Sequence, residues 1–269
     1  MKKELSSIEN PFGVVYSSLK TKCVVGEQFI TSHGLYYILS GNLNVIEAGR
    51  KYTFGAGDIL FYQKHFLAKF IKAPQENQSF KSIAVVFDRN SLLEFSSQHH
   101  MAAAKKDLTN DNVLKLENNI LIENYFKTLL PYFDSPLPES LVNLKRQEAL
   151  MLLLQAAPDL KNVLFDFSQP QKIDLESFML QNFHFNVDLK RLAYLTGRSL
   201  AAFKRDFGKI FHTSPNRWLQ KRRLEEAYYL IKEQNKRPSE IYQEVGFESL
   251  SHFSYSFKQH FGINPSSIQ

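Results

Sequence analysis

Ala201, Lys204 and Arg205 are spaced three and four residues apart, which puts their side chains on one face of a helix. The set suits the reading of base-pair edges. Arg or Lys donates to guanine O6 and N7, and an Ala methyl can meet the methyl of thymine. Ser251, Ser254 and Tyr255 repeat the same spacing fifty residues later with smaller, more adaptable donors. Arg198, Ser199, Arg217, Lys221, Ser249 and Lys258 flank the two sets and are candidate phosphate contacts. Arg205 is the first choice for a base contact, with a phosphate contact as its alternative. Asp206, beside it, would repel phosphate and is expected to pair with Lys209 or Lys232.

Other chemistries find few residues to carry them. A metal-dependent β-barrel enzyme needs a His pair one residue apart, a carboxylate and a further His. The β-rich part of the chain offers only His33 and His65, which read as turn residues. His99 and His100 are adjacent and cannot share a helical face at ligand spacing. There is no Gly-rich phosphate loop, no serine nucleophile motif and no Cys-x-x-Cys. No catalytic residue, metal or cofactor is therefore expected. An enzyme whose C-terminal helices serve only as an interaction module stands as the competing reading.

The elements that position the two sets are a repeated unit. Phe203, Phe207 and Phe211 are four apart and followed by Pro215; Phe253, Phe257 and Phe261 are four apart and followed by Pro265. Before each stripe comes a Gly-bearing turn and a Ser, Gly197 and Ser199 in the first copy, Gly246 and Ser249 in the second. Before each turn is a short apolar segment, Leu189, Leu192 and Ala193, then Ile241, Tyr242 and Val245. A short helix, a turn and a Ser-capped second helix make a helix-turn-helix. A Phe stripe at this spacing must be buried, which leaves the opposite face free. One such unit would be an ordinary helical hairpin; two in register point to a pair of reading helices, 199–211 and 249–261.

Between them, Ser214 and Pro215 open a long helix carrying apolar residues on both sides. From Pro215 to about Gln234 it spans roughly 30 Å. Successive major-groove segments are ~34 Å apart, so one chain could hold two reading heads in adjacent segments.

The last 85 or so residues resemble the AraC/XylS family of transcription regulators. The likeness rests on Leu192-Ala193, Ser199, Phe203, Phe207, Ser214-Pro215, Arg223-Leu224, Ala227, Leu230, Ile241, Val245-Gly246-Phe247, Phe253, Phe257-Lys258, Phe261-Gly262 and Pro265. It implies two helix-turn-helix units joined by a long helix, sequence-specific binding to double-stranded promoter DNA, and activation in contact with RNA polymerase. Two positions depart from the pattern: Tyr242 stands where the family usually has Ala, and His212 where Gly often ends the helix.

Charge fits a polyanion partner. Residues 170–269 hold 15 Lys+Arg and 10 Asp+Glu, so +5 of the whole chain's +6. The one cysteine, Cys23, can form no internal disulfide and is expected to be a small buried hydrophobe in a reducing cytoplasm. Met1-Lys2-Lys3-Glu4 is not followed by an apolar run, so no secretory leader is expected, and no stretch is long and apolar enough to span a membrane.

From Pro11 to Asp88 the texture is short β-rich runs separated by turns at Ser40-Gly41-Asn42, Ala48-Gly49-Arg50 and Gly55-Ala56-Gly57-Asp58. The first and last of these look like the hairpins of a cupin-like barrel. From Asn90 to Phe167 the period turns helical, with helices beginning near Ser91, Ile120, Leu141 and Leu160, the last capped by Asp159 and running to Phe167. The third, ending before Pro158, is apolar nearly all round and is expected to be buried in the domain or against a second copy.

The expected fold is α+β: a cupin-like barrel over 1–89, a helical dimerisation segment over 90–167 and an all-α DNA-binding domain over 168–269, with a linker near Phe167–Gln171 and a bracing helix capped by Asp174. The N-terminal half also resembles the branch of the family typified by type III secretion activators. That branch implies a homodimer and a protein antagonist rather than a sugar. A small-molecule effector is the other possibility: Tyr36, Tyr37, Phe54, Phe61 and Tyr62 either line a cavity or fill the barrel.

Overall fold

The computed structural model describes residues 6–9, 13–75, 78–104, 111–134 and 138–268; no side chain is described at 6–9 or 23–28. The expectations for Met1–Glu4 and for the Cys23 side chain fall outside the described residues. The chain divides into two compact units, Met1–Ser168 and Gln169–Gln269.

The first unit is a sandwich of two antiparallel sheets. Its strands are β1 (Ser6–Glu9), β2 (Val14–Leu19), β3 (Cys23–Ile30), β4 (His33–Ser40), β5 (Asn42–Glu47), β6 (Arg50–Phe54), β7 (Ile59–Tyr62), β8 (Phe66–Ala73), β9 (Phe80–Phe87) and β10 (Val113–Lys115). The order is β1-β2-β9-β4-β7-β10 in one sheet and β3-β8-β5-β6 in the other. Strands 2-9-4-7 facing 3-8-5-6 is the doubled Greek key of a jelly roll, the cupin architecture. Of the three expected turns, only Ala48-Gly49 closes a hairpin, joining paired β5 and β6. The turns at Gly41 and at Gly55–Asp58 instead carry the chain from one sheet to the other, because β4 and β7 belong to one sheet and β5 and β6 to its partner. The expected hairpins there are sheet crossings.

Alternation along the strands sorts side chains into two cores. Leu35 and Tyr37 of β4, Ile59 and Phe61 of β7, and Ile83, Val85 and Phe87 of β9 face the helices. Ile38, Leu43, Val45, Phe54, Leu60, Phe66 and Phe80 fill the space between the sheets, with Tyr36 and Tyr62 packed against them. A sheet covered on both sides reads as a continuous apolar run, as Leu35–Leu39 and Ile59–Tyr62 do. The five aromatic residues considered for one cavity are thereby split: Tyr37 and Phe61 lie on one face of the sheet, Tyr36, Phe54 and Tyr62 on the other. At Gly34, paired across β4 and β7 with Tyr62, a Cβ would lie 2.2 Å from the Tyr62 ring.

Four helices cover the outer face: α1 (Arg89–Gln98), α2 (Ile120–Leu129), α3 (Glu139–Ala156) and α4 (Lys161–Leu164). Asp88 and Asn119 cap α1 and α2 through their side chains. Phe95, Ile122, Phe126, Val142, Leu150 and Leu153 share a core with the sheet, and β10 pairs with β7. The segment 90–167 is therefore part of the same unit as the strands and not a separate domain. The helix expected from Leu160 to Phe167 is shorter than expected: Pro158–Leu160 form a 3-10 turn, and α4 ends at Leu164, without a side-chain cap from Asp159. Nor is α3 buried all round within the unit, because Leu144 and Met151 stand 62% and 50% exposed, one heptad apart.

The second unit holds α5 (Leu175–Asn182), α6 (Leu189–Leu195), α7 (Leu200–Phe211), α8 (Pro215–Lys232), α9 (Pro238–Ile241) and α10 (Leu250–Phe261), with a last 3-10 turn at Pro265–Ser267. Asp174 caps α5 as expected. The first helix of the second repeat, α9, is a single turn.

Candidate nucleic-acid interface

Each reading helix is built in the same way. Ser199 Oγ accepts from Ala202 N–H at 3.2 Å, and Ser249 Oγ from His252 N–H at 3.2 Å, fixing the start of α7 and α10. Both end in a left-handed residue, His212 (φ 52) and Gly262 (φ 77), so His212 performs the same stop as the Gly it replaces. Phe203, Phe207, Phe253 and Phe257 are fully buried.

The connector α8 seals both stripes. Trp218, near its start, packs on Phe207 and Phe211 with ring centroids 5.7 and 4.7 Å away. Tyr228, ten residues on, stacks on Phe257 at 6.4 Å and meets Phe261 at 5.0 Å. The helix is 18 residues long, about 27 Å at 1.5 Å per residue, two residues shorter than expected because it ends at Lys232. Tyr242, in place of the usual Ala, is half-buried and packs against the second repeat's core without displacing it.

With the stripes buried, the opposite faces are open. Ala201, Lys204 and Arg205 are exposed on α7. Arg205 is 66% exposed, with only a long 3.4 Å contact to Asp206. Ser251 and Tyr255 are exposed on α10, Tyr255 at 66%, and Ser254 is half-buried between them. Arg217 and Lys221 on α8 and Lys258 on α10 reach solvent. Ser199 and Ser249 are exposed at the helix starts, where unpaired N–H groups favour an anion.

Arg198 does not join this surface. Its side chain is 7% exposed and its guanidinium donates to Asp206 Oδ2 (3.2 Å), Thr196 O (2.6 Å) and Ile173 O (3.0 Å). A guanidinium committed to three acceptors inside the unit is a brace and not a phosphate contact. Asp206 in turn pairs with Arg198 and, at 3.5 Å, Lys172, rather than with Lys209 or Lys232. The Arg198 hydrogen bond and the neighbouring Lys172 charge hold its carboxyl below the usual carboxylate range.

In the sequence the run Lys221-Arg222-Arg223 reads as facing phosphate or water, but Arg223 turns inward. It lies on the same stripe as Leu219 and Ala227, four residues from each, so its charge points inward. A cation on an apolar stripe requires internal acceptors, and that was the available signal. Arg223 Nε donates to Phe183 O at 2.8 Å, Nη2 to Phe185 O at 2.8 Å and Nη1 to Gly246 O at 3.1 Å. Beside it opens a cavity of about 350 Å³ lined by Asn186, Asn216, Gln220, Glu248 and His252.

His33, by contrast, is 2% exposed in the first unit. Its Nδ1 accepts from Lys64 N–H at 3.2 Å, and its ring stacks on Phe61. It is a core residue, not the turn residue expected. Among the described residues no group of three or more His, Cys, Asp or Glu is placed to hold a metal, and no helix is long and apolar enough to cross a membrane.

Comparison with known proteins gives the same division. The family described as ExsA N-terminal regulatory domain matches residues 33–163, and the family described as Helix-turn-helix domain matches residues 192–269. The HTH-type transcriptional regulator ExsA of Pseudomonas aeruginosa is 25% identical over 235 residues, 87% of this chain and 84% of its own. The thermoregulatory protein LcrF of Yersinia pestis is 25% identical over 242 residues, 87% of each chain. A crystal structure of apo ToxT from Vibrio cholerae covers 96% of this chain and 97% of its own, with 13% identity and a TM-score of 0.49. With a regulatory jelly roll followed by two capped, aromatic-backed reading units on one connector helix, the chain belongs to the AraC-type helix-turn-helix transcription regulators.

Proposed function

We propose that this protein activates transcription by laying α7 and α10 into two successive major-groove segments of promoter DNA. The observation that carries this reading is the pair of Phe-backed helices, each with an open outer face, sealed by opposite ends of α8. Ala201, Lys204 and Arg205 discriminate bases in one segment; Ser251, Ser254 and Tyr255 contribute position and affinity in the other. Ser199, Arg217, Lys221, Ser249 and Lys258 meet phosphates. RNA polymerase is the expected partner at the promoter.

The first unit regulates, through self-association and through a small effector or a protein antagonist. The exposed Leu144 and Met151 of α3, with Ile120 (62%) and Leu121 (50%) at the start of α2, support a homodimer contact through these helices. Regulation, not catalysis, is the role of the jelly roll: His33 is packed into the core, and the relatives matched over most of their length are named as regulators.

Binding to a fragment of the protein's own promoter region, against random duplex across a salt series, tests the reading. Preference for one fragment, a steep salt slope and protection of two adjacent groove segments are expected. Absence of binding at low salt would overturn it.

A further inference from the structure

We infer that Arg223 is a positioning residue that ties the two reading units into one rigid body, so that α7 and α10 meet DNA at a fixed separation. The segment Phe183–Phe185 leads into the first helix-turn-helix, and Gly246 is the turn of the second. A single guanidinium on α8 holds carbonyls from both. The packing leaves no slack. Gly246 has φ 92, and a Cβ there would lie 2.5 Å from His184 O and 2.9 Å from Arg223 Nε. A second tie crosses the same seam, Asn186 Nδ2 donating to Glu248 Oε1 at 2.8 Å. The Phe183 ring is also covered by Arg222, whose guanidinium carbon is 5.1 Å from the ring centroid.

The units are thus joined twice, along α8 and across this seam. A helix alone fixes a distance; the seam also fixes rotation about the helix axis, on which the angle between two grooves depends. Arg suits the place because its planar fork reaches several acceptors at once, whereas Lys presents a point charge on a flexible stem. Arg223→Lys keeps the charge and most of the stem while losing the fork.

The direct test needs no DNA. In the full chain with Cys23→Ser, mixed with excess unlabelled protein so that no dimer carries two labelled chains, spin labels at Lys209→Cys and Gln259→Cys, both exposed at the far ends of α7 and α10, report the separation of the heads by double electron–electron resonance. A single narrow distribution is expected, broadening at least about twofold in Arg223→Lys with helical circular dichroism retained. Asn186→Ala, which removes the second tie, should broaden it less; it also keeps the seam testable if Arg223→Lys fails to fold. Unchanged widths in both variants would overturn the inference.

The consequence at DNA rests on the two-head reading and is measured separately. The probe is a duplex selected from random-sequence DNA by the wild-type protein. Arg223→Lys should bind it at least about tenfold more weakly, because loss of a fixed geometry lowers the effective concentration of the second head. Random duplex should be bound as before, and footprinting should show one segment protected in place of two. Equal protection of both segments by the folded variant would overturn the positioning role. A wild-type footprint confined to one segment would overturn the two-head reading instead, leaving the distance result intact.

Discussion

Arg198 Nε and Asp206 Oδ2 are 3.2 Å apart, joining the turn of the first repeat to the inner flank of its reading helix. The pair turns an acid on the DNA-binding helix away from solvent and uses a neighbouring cation to do it. Arg198→Ala removes that carboxylate's shortest partner, leaving Lys172 and Arg205 beside it, and takes the donor from the Thr196 and Ile173 carbonyls, so the unit should lose stability. Trp218, the only tryptophan, lies on Phe207 and Phe211, so its fluorescence follows unfolding at this site. The variant should unfold earlier in urea, yet keep the wild-type slope of log affinity against log salt. A slope lowered by about one would instead make Arg198 a phosphate contact.

Arg205 and Lys221 should separate specificity from affinity. Arg205→Ala is expected to lose about 1–3 kcal/mol of preference for a selected duplex over its point variants, with little change on random DNA. Lys221→Ala should weaken every duplex alike and reduce the salt slope by about one. Titration of both variants against the same duplex panel makes the comparison. Uniform loss for Arg205→Ala would reassign it to phosphate.

The two Phe stripes should be equally costly to open. Phe207 and Phe257 are both 0% exposed at corresponding places in the repeat. Truncation of either to Ala should destabilise by about 3–5 kcal/mol. A much smaller cost at Phe257, measured by denaturant midpoint, would show that the second repeat contributes little to folding of the unit.

Acid should loosen the jelly roll through His33. Burial foremost, then the nearby Lys64 and His65 charges, hold its pKa down to about 3, against 6.5 when unfolded. Between those values the unfolded chain binds the extra proton, so stability is complete above pH 6.5 and falls as pH drops towards 3, by up to about 1.4 kcal/mol per unit. His65, lowered to about 4, acts in the same direction. Denaturant midpoints from pH 7 to 4 should fall less steeply in His33→Gln; an identical slope would remove His33 from the account.

If the homodimer forms through α2 and α3, Leu144→Glu with Met151→Glu should shift sedimentation from dimer to monomer while circular dichroism is unchanged. Persistence of the dimer would place the contact elsewhere.

Much of this was legible in the sequence. Eight of the ten strands, β2 to β9, were announced by β-branched and aromatic runs, and the repeat by the spacing of its Phe, Gly, Ser and Pro residues. What escaped was non-local. A turn at Gly41 looks the same whether it closes a hairpin or crosses between sheets; the difference lies in the partners of β4 and β5. β1 and β10 are short edge strands with little pattern of their own. Arg198 and Arg223 read as surface cations because sequence shows charge and not direction; the acceptors around each, three backbone carbonyls for Arg223 and two carbonyls with the Asp206 carboxylate for Arg198, make the inward orientation possible.

The strand β4 is apolar towards both its neighbours, so sliding it by one residue would exchange one oily environment for another. Polarity, the usual guide to alignment, gives little warning there. The fit of Gly34 against the Tyr62 ring supplies that warning by shape: shifted by a residue, the ring would meet a His33 or Leu35 side chain where only a hydrogen now fits. Replacement of Gly34 would thus strain the native alignment itself and narrow its advantage over the shifted ones.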